Sequence, residues 1–120
     1  MATTFPTIPL VELPVRERGV CCVPARRLPA ERVDELTGVL KALADPTRVE
    51  MVAILKEAGV PMCICDLDAA FDLSQPTLSH HMAKLKDAGL VEALKQGIWV
   101  FYRLRDDLSP AARRLVDAIA

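Results

Sequence analysis

Long apolar runs are missing. Nowhere in the 120 residues does an uninterrupted apolar stretch approach the roughly 18 that a membrane-spanning helix needs. The opening MATTFPTIPL has neither the basic cluster nor the apolar centre of a secretory leader, so a cytoplasmic protein with no membrane partner is expected. Aromatic residues are scarce at 4%, whereas apolar residues together reach 52%, a balance that favours helices over a β-sandwich and excludes a disordered or collagen-like chain. A surplus of charge of either sign is also missing. The 15 Lys and Arg face 16 Asp and Glu, so the net charge of −1 gives no general attraction to nucleic acid and any basic surface must be local. Histidine is confined to His80 and His81, whose side chains would diverge on a helix, and no second pair is available to complete a zinc site. No phosphate-type anion loop accompanies the cysteines, so neither an enzyme nor a protein substrate is expected.

What is present is sulfur in two tight pairs, Cys21-Cys22 and Cys63-x-Cys65. Neighbours one or two residues apart seldom close a good bridge, and nothing points to secretion, so reduced thiols are expected. Clustered thiols then read as metal ligands or redox groups. Five of the nine prolines lie within residues 1–29, at Pro6, Pro9, Pro14, Pro24 and Pro29, each disfavouring helix at the residue before it. Residues 1–29 are therefore an arm carrying Cys21 and Cys22, and residues 30–120 a single domain.

From Ala30 the pattern turns helical, with Val33, Leu36, Leu40 and Leu43 as one apolar stripe ending near Ala44. Asp45-Pro46 reads as an N-cap followed by proline at the first helical position, with Gly59 as the stop. A short third helix is expected from about Ile64 to Phe71. Ser74 then caps a fourth that runs to Ala88 and stops at Gly89, and the brief connection makes a helix-turn-helix candidate. Alternation over residues 90–104, broken at Gly97, predicts a β-hairpin, and Ser109-Pro110 opens a last helix with Ala112, Leu115, Val116 and Ile119 on one side. The expected fold is mainly α with a hairpin wing, in the order ααααββα.

On the fourth helix Leu78, Met82 and Leu85 share one side, and Thr77, His80, Lys84 and Asp87 the other. With Ser74, Gln75 and Ser79 near its N-terminus, this face offers short polar groups to base edges and phosphates. His81 falls at the edge of the core stripe, where packing or a local hydrogen bond is expected. Residues 80–105 carry five cations, Lys84, Lys86, Lys95, Arg103 and Arg105, against Asp87 and Glu92. Lys95, Gln96 and Arg103 of the hairpin are thus expected on the phosphate backbone, in contacts that weaken with salt. The stripes on the first and last helices are more than so small a domain can cover, and pairing two copies would bury them. A twofold dimer would place two reading helices roughly 34 Å apart on a palindromic operator.

Four ordered motifs, ALADPTR (42–48), CICDL (63–67), LSQPTLSHH (73–81) and AGLV (88–91), closely resemble the ArsR-type (ArsR/SmtB) family of bacterial metal-responsive repressors, over residues 33–120. The resemblance implies a winged helix-turn-helix homodimer that binds double-stranded operator DNA and is released when a metal or metalloid binds. It further implies that Cys-x-Cys-Asp-Leu is the sensing element. Arsenic-sensing members often carry a third cysteine where this chain has Asp68, so Cys21 or Cys22 would complete the set, as arm cysteines do in other members. Thiolates select soft ions: three would satisfy As(III) or Sb(III), and four could hold Cd(II), Pb(II) or zinc. The expected ligand set is Cys21, Cys22, Cys63 and Cys65. Side chains at i and i+2 of a helix diverge, so Cys63 must precede the helix if it shares an ion with Cys65. A thiol-redox gate is the alternative. The last helix has no histidine, which argues against the family's zinc site of acidic and histidine ligands there.

Overall fold

Local signals set most helix boundaries. The computed structural model describes residues 10–19, 22 and 24–120, and gives α1 (Ala30–Leu43), α2 (Pro46–Ala58), α3 (Ile64–Asp68), α4 (Gln75–Asp87), β1 (Val91–Gln96), β2 (Trp99–Leu104) and α5 (Pro110–Ile119), the expected order. Among the described residues before Ala30 there is no helix or strand, and Pro6, Pro9 and Cys21 fall outside the described residues.

Asp45 is extended and accepts the Arg48 N–H at 3.0 Å, Pro46 opens α2, and Gly59 closes it in the left-handed region at φ 64°. Ser74 accepts the Thr77 N–H and Ser109 the Ala112 N–H, so α4 and α5 start at the predicted residues. The end of α4 is a Schellman turn. Gly89 takes φ 77°, its N–H meets the Lys86 carbonyl, and the Leu90 N–H reaches back to Leu85 at 3.1 Å. That turn delivers Leu90 and Val91 into the core and leads directly into β1.

Leu67 of α3, Leu78, Met82 and Leu85 of α4, Met51, Val52 and Leu55 of α2, and Ala112 and Val116 of α5 form one continuous core with Leu90 and Val91. Among the described residues no polar or charged side chain is buried. Met62 pairs with Tyr102 through two backbone hydrogen bonds, so the hairpin is held to the segment leading into α3.

Two expectations are corrected. The third helix ends at Asp68 and not near Phe71, because the Ala70 N–H bonds to the Leu67 carbonyl three residues back and the last turn tightens out of α geometry; Phe71 still packs on the core, half-buried. The other is that both end-helix stripes would be left uncovered: the stripe on α1 is open, as expected, and only Leu43 of it packs on the core. Val39 and Ala42 are the buried residues, whereas Val33 and Leu40 are 44% and 51% exposed. On α5, by contrast, Ala112 and Val116 are covered within the chain and Leu115 and Ile119 are half-buried against the core, so the uncovered apolar surface lies chiefly on α1.

Candidate nucleic-acid interface and sulfur site

The face of α4 opposite its core stripe is open to solvent: Gln75, Ser79, His80 and Lys84 are exposed and Thr77 is half-buried. The Ser74 and Thr77 hydroxyls lie 2.8 Å apart and bond to each other while Ser74 also caps the helix, so both present oxygens already fixed in direction. Of the five cations over residues 80–105, two are engaged elsewhere, and one of them, Arg103, is a residue expected on phosphate. Arg103 is held by Glu92 directly across the hairpin, and Arg105 makes a two-pronged contact with Asp107. Each carboxylate favours the charged form of its guanidinium, and Arg105 in turn holds the Asp107 carboxyl below its ordinary value. Lys84, Lys86 and Lys95 have no such ion pair among the described residues and carry the local positive charge. Replacing Lys84 with Ala is expected to weaken DNA binding about equally across sequences and to reduce the slope of log K against log salt by about 1. An unchanged slope would remove Lys84 from the phosphate set.

Sequence reasoning missed a contact that positions this helix. Arg48, inside the ALADPTR motif, donates through Nε to the Ala42 carbonyl at 2.6 Å and through Nη1 to Nδ1 of His81 at 3.1 Å. One guanidinium thus closes the C-terminus of α1 and braces α4 through a half-buried imidazole. A guanidinium can only donate, so Nδ1 of His81 is the acceptor in this contact, with the Asp45 carboxylate 3.8 Å from the same nitrogen. The Arg48 backbone N–H, foremost, holds the Asp45 carboxyl below its usual value, which keeps the cap ionised. His81 thus makes the local hydrogen bond expected of it, and His80 points to solvent. The signal for Arg48 was a basic residue five positions after a helix end, beside an Asp-Pro cap.

The second cluster lies at the start of α3. Cys63 is its N-cap, extended at φ −89° and ψ 166°, as sharing an ion with Cys65 requires. The Asp66 carboxylate accepts the Cys63 N–H at 2.9 Å, and a ligand atom from each of Cys63, Cys65 and Asp66 lies within 4.8 Å of the others. Cys63 is buried and Cys65 exposed. The expectation of reduced thiols is corrected here: Cys63 and Cys65 are joined in a disulfide. Because Cys63 stands outside the helix, its side chain escapes the divergence of helical i and i+2 positions, and the two Cα atoms come to 5.3 Å, within reach of a bridge. Cys22 of the arm is exposed. Asp68, which stands where a third local cysteine would be, is the last residue of α3 and exposed.

The donor set suits a soft trivalent ion only in part. Two sulfurs are in place once the bridge is reduced, but the third local donor is a hard carboxylate already engaged by the Cys63 N–H, so a third sulfur must come from elsewhere.

Comparison with known proteins bears on both clusters. A family model described as bacterial regulatory protein, arsR family, matches residues 45–93, which span α2 to the first half of β1. An arsenical resistance operon repressor of Escherichia coli K12 is 44% identical over 66% of this chain and 67% of its own length. The crystal structure of the transcriptional repressor BigR from Xylella fastidiosa is 32% identical, with a TM-score of 0.60 over 74% of this chain and 83% of that one. The homodimeric winged helix-turn-helix domain of a possible ArsR-family regulator from Mycobacterium bovis is 28% identical, with a TM-score of 0.62 over 75% of this chain and 79% of that one. With its helix-turn-helix of α3 and α4, its hairpin wing and these likenesses, the chain belongs to the ArsR family of DNA-binding transcriptional repressors.

Proposed function

We infer that the protein is a metalloid-responsive repressor that binds operator DNA as a homodimer and lets go when trivalent arsenic or antimony is captured by its cysteines. The observation that carries this reading is the meeting of Cys63, Cys65 and Asp66 at the tip of α3, the helix packed directly against the reading helix α4. The family relatives named for arsenical resistance support the choice of ion.

The DNA contacts are Ser74, Gln75, Thr77, Ser79, His80 and Lys84 on α4, with Lys95 and Gln96 on the wing. Arg103 joins them by exchanging Glu92 for a phosphate. The copies pair through the apolar face of α1, where Val33 and Leu40 are exposed in the single chain, together with Leu28 just before the helix. A homodimeric family neighbour supports that pairing.

Exchange with an external dithiol, itself oxidised to a disulfide, reduces the Cys63–Cys65 bridge and frees two thiols. Arsenous acid then condenses with these and with Cys21 or Cys22 of the arm, forming three As–S bonds and releasing three waters, with no change in oxidation state. Drawing the arm onto α3 shifts α4 in each copy and alters the distance between the two reading heads. A coupling of about 1–3 kcal/mol corresponds to roughly 5-fold to 150-fold weaker binding.

Two rival inducers remain distinct outcomes. A fourth sulfur would suit Cd(II) or Pb(II) in place of arsenic. The Cys63–Cys65 disulfide favours a redox gate instead, in which oxidation alone changes α3. The test is a titration of the phosphine-reduced protein, bound to a fluorescent duplex that it has itself selected from a randomised pool. Arsenite and antimonite are expected to release the DNA. Release by cadmium or lead alone would reassign the ion, and release by peroxide alone, with no response to any of the ions, would overturn metal sensing in favour of the redox gate.

A further inference from the structure

We propose that Nδ1 of His81 is a proton-operated latch on the reading helix. Without a proton it holds Arg48 and keeps α4 aimed at DNA. With one it turns to Asp45, α4 loses its brace, and DNA binding weakens as pH falls; this deepens the DNA-binding reading above and rests on it. Nδ1 stands 3.1 Å from Nη1 of Arg48 and 3.8 Å from the Asp45 carboxylate. The first partner is a guanidinium, always charged and able only to donate, and the second, when ionised, can only accept. One nitrogen cannot satisfy both at once, so its proton decides which it keeps. Histidine is the side chain that changes state between about pH 5 and pH 8. The ring is only 16% exposed, so little water is at hand to replace the contact it gives up.

Both positions of the latch are anchored. Nε of Arg48 is tied to the Ala42 carbonyl at the end of α1, at 2.6 Å, which fixes the guanidinium when the imidazole leaves it. Asp45 is the N-cap of α2, and the Arg48 backbone N–H that it accepts keeps its carboxylate ionised. A protonated Nδ1 would set one N–H against another at Arg48, whereas a move of about 1 Å would bring it to charge-assisted hydrogen-bonding distance of Asp45. The other charged groups nearby make no contact with Nδ1. His80 meets the ring edge-on, with centroids 6.2 Å apart, and Lys41 of α1 and Lys84 and Asp87 of α4 line an adjoining groove with Arg48. The helix α3 and strand β1, which also pack on α4, give His81 no hydrogen bond or ion pair among the described residues. His80 and His81 act with opposite sign. His80 is exposed on the face turned to the polyanion, where a proton strengthens binding, whereas a proton on His81 releases the brace.

The test measures the affinity of the full chain for its selected fluorescent duplex from about pH 8 down to about pH 5.5, at constant salt. A His80→Gln background removes the opposing histidine, and there binding should weaken about tenfold on acidification. Adding His81→Gln, whose amide oxygen accepts from Arg48 at every pH, should preserve the affinity at the alkaline end and abolish most of the fall. A purely structural His81 would lower affinity at every pH alike. Asp45→Asn keeps a capping oxygen without its charge and should move the fall to lower pH. If the His80→Gln background binds too weakly to measure, wild type against His81→Gln carries the same comparison. Nitrogen NMR of the DNA-free wild type needs no variant: as Nδ1 of His81 gains its proton, the Arg48 Nε resonance should shift with the same midpoint. Affinity that stays flat in the His80→Gln protein, or that remains as dependent on pH after His81→Gln as before, overturns the latch. So does a His81 titration to which Arg48 does not respond. If the wild type retains no duplex at any pH, the DNA-binding assignment itself falls, a result separate from failure of the latch.

Discussion

Cys65→Ser should leave DNA binding within about twofold of wild type and remove the response to arsenite. Cys65 is exposed at the first turn of α3, makes no contribution to the core, and stands on the face opposite to the buried Leu67, so the helix should tolerate a hydroxyl in place of the thiol. The loss is in ligand count. With one sulfur gone, the tip of α3 keeps Cys63 and a carboxylate already occupied by the Cys63 N–H, and a soft trivalent ion has too few thiolates to outcompete water. The 5-fold to 150-fold weakening expected of the wild type on arsenite should therefore collapse to no change. The measurement is DNA affinity with and without arsenite, in a phosphine reductant because dithiols would themselves bind the ion. Induction that survives both Cys63→Ser and Cys65→Ser would remove α3 as the sensing element.

Leu78→Ala should cost the fold about 2–5 kcal/mol, the range for truncating a buried leucine whose cavity the surroundings fill incompletely. Leu78 is wholly buried on the inner side of α4, one turn from the Ser74 cap and directly beneath Thr77 and Ser79. Thermal unfolding of the DNA-free protein reads the loss as a fall of roughly 4–8 °C for each kcal/mol. A change below about 0.5 kcal/mol would mean that this helix is not seated on the core through Leu78. The same substitution should weaken DNA binding through misplacement of the exposed face, because the polar groups that meet the bases are aimed by the apolar ones beneath them.

Most of the architecture was legible in the chain because its signals are local. Asp45, Ser74 and Ser109 each satisfy an orphan backbone N–H at a helix start, and Gly59 and Gly89 adopt the left-handed conformation that ends a helix, so five residues, each acting within a few positions of itself, mark most of the boundaries. The inward set on α4, Leu78, Met82 and Leu85, was readable for the same reason. The stripes on α1 and α5 were legible as faces, but that the chain covers the one on α5 with its own core was not. Periodicity identifies an apolar face but not what covers it, and the chain turns Val39 and Ala42 inward while leaving Val33 and Leu40 exposed.

The candidate sites divide in the same way. That Cys63 precedes its helix and can face Cys65 followed from the i, i+2 divergence of helical side chains, a purely local argument. That the two sulfurs are bridged, and that Asp66 is drawn in with them, depends on the extended backbone at Cys63, which no periodicity predicts. The charge count over residues 80–105 was correct as a count but not as a surface, because Arg103 and Arg105 find carboxylates across the hairpin and two residues along.

By itself, the sequence determined the kind and order of the elements, the side of α4 left to solvent, and the pairing of cysteines into two groups, since each is set by neighbours within a turn or two. Only the tertiary structure decided that Arg48 ties the end of α1 to His81, that Glu92 neutralises Arg103, and that Ile98 and Trp99 stand alone at the end of the wing. Those contacts join or separate residues far apart along the chain, and which of them form is settled by how the helices pack on their shared core.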